Sequence, residues 1–274
     1  MSRSPVVALA LSTHPGPTVL VSAVTALLAI GAGLDPARAA LVTAAVFVGQ
    51  VSVGLSNDWL DAARDAAVGR TDKPVARGQI GVGTVRAVSL VTAVLAVVMT
   101  IPLGWAATTA HLVFVASAWS YNFWLKRTPF SVLPFVVSFG LLPAVVTLSA
   151  TPPQWASGWT LGAGALLGVA AHFANVLPDL DDDRVTGIAG LPHRLGRRAS
   201  GAVIAVVLAA ASGLVLVGSG EPGPLQWAGC AATVLIAAVC GYLAVTRPPT
   251  RLLFQLIMLA ALLNVTLLAF SPRG

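Results

Sequence analysis

The sequence predicts an all-α polytopic membrane protein with about nine transmembrane helices and a cytoplasmic N-terminus. Three observations carry this. The 274 residues are 57% hydrophobic and only 9% charged, whereas a soluble domain carries about 25% charged residues. The apolar residues fall in runs of about 20, the length that crosses a bilayer core. The basic residues collect at alternate breaks between those runs.

The runs are residues 17–34, 37–56, 85–103, 105–125, 130–150, 158–176, 199–218, 225–245 and 252–270. Several breaks carry turn chemistry: Gly33-Leu34-Asp35-Pro36, Thr151-Pro152-Pro153, Gly220-Glu221-Pro222-Gly223-Pro224 and Arg247-Pro248-Pro249. The break near Pro102-Leu103-Gly104 is the shortest. A lipid-facing barrel would need alternating segments of about ten residues instead. At the N-terminus, residues 6–11 form a short apolar stretch after Arg3, which His14-Pro15-Gly16-Pro17 interrupts, so the layout is not that of a signal peptide. Cys230 and Cys240 lie in one apolar run on different helix faces and read as core residues. Residues 1–274 read as a single transmembrane domain.

Charge placement gives the orientation. The N-terminus and the even-numbered junctions hold Arg3, Arg64, Arg70, Lys73, Arg77, Arg86, Lys126, Arg127, Arg184, Arg194, Arg197, Arg198, Arg247 and Arg251. Arg38 and Arg273 remain for the other side. Such a bias places the even loops in the cytoplasm. The net charge of +6 is therefore explained without a nucleic-acid partner.

Most of the acid lies on that same face, in two clusters that form a faint repeat. Asn57-Asp58-Trp59-Leu60-Asp61-Ala62-Ala63-Arg64-Asp65 closes the second run, and Asp179-Leu180-Asp181-Asp182-Asp183 follows the sixth. A helix turns about 100° per residue, so Asn57, Asp58, Asp61 and Asp65 fall within an arc of about 100°, with Gln50 on the same stripe. Asn175, Asp179, Asp182 and Asp183 share a second such arc, joined by His172, while Asp181 projects away and reads as solvated. One acidic cluster at a helix end is ordinary solvated surface, paired with Arg64 or Arg184. Two clusters on coherent faces, each with an amide in the stripe, point to a shared ligand. Carboxylates this close repel unless a cation sits between them. Mg²⁺ suits such oxygen donors and shares its remaining positions with water and substrate phosphate. Two facing sets fit one diphosphate, with Arg64, Lys73, Arg77, Lys126, Arg127 and Arg184 as phosphate partners.

The residues also carry a resemblance. Residues 57–65 read N-D-x-x-D-x-x-x-D, and residues 179–183 supply a second D-x-x-x-D. Tyr121-Asn122-Phe123-Trp124-Leu125-Lys126-Arg127 and the basic segment Gly69-Arg70-Thr71-Asp72-Lys73-Pro74-Val75-Ala76-Arg77-Gly78 lie between them. Over almost its whole length the chain resembles the UbiA superfamily of intramembrane prenyltransferases. The resemblance implies nine helices around a central cavity that opens sideways to the bilayer, with a cytoplasmic active face. It implies Mg²⁺ and an isoprenyl diphosphate held by Asn57, Asp61 and Asp65 on one side and Asp179 and Asp183 on the other, with Asp182 as a further metal ligand on the helical projection. Lys126, Lys73 and Arg77 fall at phosphate positions, and Tyr121 at a cavity tyrosine. Asp58, Arg64, Arg127, Asn175 and His172 are further candidates for substrate contact.

The expected reaction is transfer of the isoprenyl group to an aromatic, quinone-precursor-like acceptor in the membrane. Trp119, Tyr121, Phe123, Trp124, Phe135 and Phe139 are candidates to face an allylic cation. Many members of the superfamily carry a basic residue near the start of the first helix. This chain has Thr13-His14-Pro15-Gly16 there, and His14 reads as interfacial. Two alternatives stand beside the transferase. One is a cyclase of the same superfamily that needs no acceptor. The other is a secondary transporter with carboxylates on an ion path, for which acids near mid-span rather than at helix ends would speak. A His-Pro-x-Lys-Arg run of phosphoribosyl-donor relatives and an Asp-Gly-x-x-Ala-Arg stretch of CDP-alcohol phosphotransferases are both missing.

Overall fold

The computed structural model describes residues 4–180, 183, 187–218, 220–246 and 251–269, and all regular structure among them is helical. The helices are α1 (Pro5–Ser12), α2 (Pro15–Gly31), α3 (Pro36–Ala67), α4 (Val82–Val98), α5 (Trp105–Phe123), α6 (Leu133–Thr147), α7 (Gly158–Val176), α8 (Leu191–Gly218), α9 (Pro224–Thr246) and α10 (Arg251–Ala269). Short 3₁₀ turns extend α4 (Ile101–Leu103), α5 (Leu125–Arg127) and α7 (Leu177–Asp179).

Each of the nine apolar runs holds a helix. Among the described residues, five helices suffice by length and hydropathy to cross a membrane: α3, α4 with its extension, α7 with its extension, α8 and α9. The bent pair α1–α2 makes a sixth if it counts as one span. The protein is thus an all-α membrane protein. At 15 residues, α6 rises only about 22 Å, less than a hydrocarbon core.

Proline and glycine set the boundaries. Proline occupies the first turn of α1, α2 and α3, where a missing N–H costs nothing. The short α4–α5 break is a 3₁₀ turn closed by Gly104 at φ 111°. Residues 6–11, too short to span, are helical and meet α2 at a 58° bend.

Neighbours in sequence pack in order, and α10 returns to pack on α2, so the chain closes on itself. Small residues bring the axes together. A Cβ on Gly168 of α7 would lie 2.4 Å from the Phe135 carbonyl oxygen of α6. A Cβ on Gly54 of α3 would lie 2.3 Å from the carbonyl oxygen of Thr13, at the α1–α2 corner. Ser52 and Ser89 tie α3 to α4 by donating to each other's carbonyl oxygen at 2.8 and 3.0 Å. Cys230 and Cys240 are free thiols.

Candidate active site

The site is built on the projecting end of α3. Residues 36–56 of this helix rise about 31 Å, the thickness of a hydrocarbon core. Asn57 and the acids come in the next turns, about one hydrocarbon thickness from the start of the helix. The helix is unbroken to Ala67, which keeps the acids on one stripe. That stripe faces inward: Asp58, Asp61 and Asp65 are only 2%, 2% and 3% exposed.

Buried carboxylates need partners, and each of these has cations. Arg64 Nη2 donates to Asp61 Oδ2 at 2.9 Å and to Asp65 Oδ1 at 3.1 Å. Lys126, itself buried, donates to Asp61 Oδ1. Burial lowers the Lys126 pKa, against the field of Asp61. Lys73 donates to Asp58 Oδ1 at 2.6 Å and to Asn57 Oδ1 at 3.2 Å. Asn57 Nδ2 reaches Asp61 Oδ2 at 3.2 Å and Asn122 Oδ1 at 3.4 Å. Asn122 in turn donates to Ser56 Oγ at 2.7 Å and to the Val53 carbonyl at 3.0 Å.

The second cluster approaches through the loop after α3. Arg70 donates to both carboxylate oxygens of Asp72, at 2.9 and 3.0 Å, and lies 3.5 Å from Asp179 Oδ1. That pairing with Asp72, and the charges of Asp179 and Asp65, raise the Arg70 pKa above its ordinary value. The Arg70 guanidinium therefore stands between the two acidic segments. Asp183 meets His193 Nε2 at 3.2 Å. His193 precedes Gly196, whose φ of 78° breaks the start of α8.

α7 ends at Val176 and passes into the 3₁₀ turn Leu177–Asp179, with Pro178 in its first turn. A proline lacks the N–H that a continuing α-helix would use. The described residues still follow one 22-residue span, Gly158–Asp179, with Leu180 in αR backbone, and the projection beyond it runs through residues outside the described ones. Asp179 has a side chain 41% exposed, in contrast to the acids of α3. Asp181, Asp182 and Arg184 lie outside the described residues.

A cavity of about 200 Å³ opens beside the α3 stripe. It is lined from α2, α3, α5, α6, α7 and α10, with Asn57, Asn122, Asn175, Gln50 and His14 among the polar walls and Phe114, Phe135, Phe139 and Tyr121 among the aromatic ones. Tyr121 meets Phe135 edge-on at 5.1 Å and His172 at 5.6 Å. His172 is fully buried, 3.0 Å from Ser131 Oγ, which also accepts from the Leu191 N–H at 2.8 Å. Its place is behind the aromatic wall.

Other candidates lie elsewhere. Phe123 and Trp124 are more than half exposed, and Trp119 donates to Ser52 Oγ at 3.1 Å. Arg127 and Arg77 are exposed on the loops, with Arg77 3.5 Å from the Thr71 carbonyl.

Three residues at the site had no role in the sequence reading. His14 Nε2 lies 2.8 Å from Asp58 Oδ1. Asn122 bridges α3 and α5, and Arg70 bridges to Asp179. Asn122 was signalled by being an amide inside an apolar run. His14 was signalled only by standing at a proline-marked corner.

Residues 17–270 match the model of the UbiA prenyltransferase family. No curated protein matches by sequence. Among solved structures, the fold is similar to a UbiA homolog from Aeropyrum pernix K1, in its apo form, at 19% identity and TM-score 0.76, over 91% of this chain and 95% of that one. A UbiA homolog from Archaeoglobus fulgidus bound to GPP and Mg²⁺ matches at 11% identity and TM-score 0.74, over 95% and 97%. A digeranylgeranylglyceryl phosphate synthase matches at 14% identity and TM-score 0.64, over 97% of each chain. These likenesses are likenesses of fold. The family match runs through both acidic segments and nearly the whole chain, and by it the protein belongs to the UbiA prenyltransferase family.

Proposed function

We propose that the protein transfers an isoprenyl group from a polyprenyl diphosphate to an aromatic acceptor, with Mg²⁺, at the cytoplasmic face of a bilayer that it crosses about nine times. One observation carries the reading. Buried carboxylates interleaved with Arg64, Lys126 and Arg70 stand beside an apolar, aromatic-lined cavity. The family supports it, as does the Archaeoglobus relative that binds GPP and Mg²⁺.

The residues fit the metal by donor chemistry. Every proposed ligand offers a hard oxygen: Asn57, Asp61, Asp65, Asp179, Asp182 and Asp183. Among the described residues no three acids or histidines already form a metal cluster. Mg²⁺ is usually held by only one or two carboxylates, plus water and phosphate. Asp58 Oδ2 and Arg64 Nη1 are buried and unpartnered, so the stripe has bonding capacity left over for a ligand. When bound, Mg²⁺ offsets the negative charge on the diphosphate and makes it a better leaving group.

The protein groups do the rest. Arg64, Lys126, Lys73 and Arg70 exchange carboxylate partners for phosphate oxygens as the diphosphate enters. Arg77 and Arg127 line the approach. The apolar cavity holds the isoprenyl tail and excludes water from the allylic cation. Tyr121, Phe135 and Phe139 turn aromatic surface toward it. Asn175 and His172 shape the wall on the α7 side.

The test is incubation of membranes with C10 to C45 diphosphates, with and without aromatic acceptors, and product analysis by mass spectrometry. We expect acceptor-dependent prenylated product and complete loss in EDTA. Asp61→Ala and Asp179→Ala should each lose at least about 100-fold in turnover, the scale of a lost charge-stabilising group. Full turnover in EDTA or in Asp61→Ala would overturn the reading. Product formed without acceptor would mark a cyclase.

A further inference from the structure

We infer that His14, backed by Asp58, receives the hydroxyl proton of a phenolic acceptor. The inference rests on the prenyl-transfer reading and goes beyond it, since that reading leaves the acceptor side without a base. His14 lines the cavity together with Tyr121, Asn57 and Asn175. Its Nε2 lies 2.8 Å from Asp58 Oδ1, and Lys73 Nζ lies 2.6 Å from the same oxygen and 3.1 Å from Nε2. In the inferred state Nε2–H donates to Asp58, Lys73 pairs with the same carboxylate oxygen rather than with the ring, and the lone pair is on Nδ1. Nδ1 has no partner among the described residues. A base oriented through its other nitrogen by a buried carboxylate is the arrangement that proton abstraction needs.

The backbone adds a separate observation. His14 is the N-cap residue of α2, yet its side chain makes no capping bond, and its φ is 53°. A left-handed histidine next to a proline is strained, and such strain persists where the surroundings enforce it. Here Gly54 lets the Thr13 carbonyl press against α3, which sets His14, at the corner, over Asp58. Capping alone would favour serine or aspartate in extended backbone. The groups facing His14 are Asp58 from α3 and Lys73 from the following loop, with Tyr121 of α5 on the same cavity.

In the step, the phenol O–H proton moves to Nδ1 as the adjacent ring carbon bonds to the isoprenyl carbon. The C–O bond to diphosphate breaks, and its electron pair leaves with the diphosphate. The ring carbon then gives up its own proton to water, and the oxygen regains one from His14. One proton is released overall.

Purified wild type, His14→Gln and His14→Ala in nanodiscs test this. Glutamine reproduces the Nε2 contact with Asp58 and lacks the base at Nδ1. Calorimetry with geranyl, farnesyl and geranylgeranyl thiolodiphosphates plus Mg²⁺ reads the donor side. Pyrophosphate release with the matching diphosphates and a panel of phenols, carboxylated and plain, reads the acceptor side. Both variants should bind the thiolodiphosphate within about twofold of wild type and lose about 100-fold or more in kcat, with little change in acceptor KM. Glutamine should not rescue alanine. Wild-type kcat in His14→Gln would make His14 a structural residue and overturn the inference. So would a wild type that binds the thiolodiphosphate but turns over no phenol. A wild type that binds none of the thiolodiphosphates would instead bring down the prenyl-transfer reading, and the inference with it.

Discussion

Asp61 shows how the residues at this site share charge. Its two oxygens are divided between Lys126, Arg64 and Asn57, so no single cation owns it. Replacing Lys126 by Met should leave Arg64 as the main partner and raise donor KM more than it lowers stability, checked by kinetics and a melting curve side by side. Tyr121→Phe keeps the ring and should retain most activity, whereas Tyr121→Leu should lose it, by the same product assay. In the loop, bonding to Arg70 pulls the Asp72 pKa down to about 2 from 3.8. Being depressed, it contributes stability that is present above pH 3.8 and is lost as pH falls through about 2. Hydrogen-exchange protection of residues 68–81, taken relative to the intrinsic rate at each pH, should therefore hold down to about pH 3.8 and fall only as pH drops toward 2. The α3 acids were legible in sequence because a helix converts spacing into a face. His14 was not, because its partner Asp58 lies 44 residues away.

At the scale of the element, two helices carrying similar acid spacings behave differently. α3 is 32 residues long and unbroken to Ala67, so its stripe stays helical. α7 passes into a 3₁₀ turn at Leu177–Asp179, with Pro178 in its first turn. The pattern of the acids was readable in both, and Pro178, between the span and the second motif, marks where the winding tightens. The α1–α2 corner depends on the absence of a side chain at Gly54. Gly54→Ala places a methyl against the Thr13 backbone, and overpacking of this kind costs about 1–3 kcal/mol. We expect a lower melting temperature together with impaired acceptor turnover, because the corner carries His14. Gly168→Ala, which clashes with the Phe135 backbone, should lower the melting temperature similarly.

For the whole molecule, closure follows from packing, and we expect orientation in the bilayer to follow from charge. With Cys230 and Cys240 replaced by alanine, single cysteines at Asp35 and Glu221 should label from outside intact cells. Cysteines at Arg127 and Arg197 should label only after permeabilisation. Reversed labelling would overturn the cytoplasmic placement of the site. By itself the sequence determined the helical class, the places of the helices and the acidic segments. Local periodicity and hydropathy act over a turn or a bilayer thickness, and both are written in adjacent residues. Only the tertiary structure decided that α10 packs on α2, that Arg70 stands between the two acidic segments, and that His14 rests on Asp58. Those contacts join residues far apart in the chain, and they depend on how closely particular helices approach, which no single segment encodes.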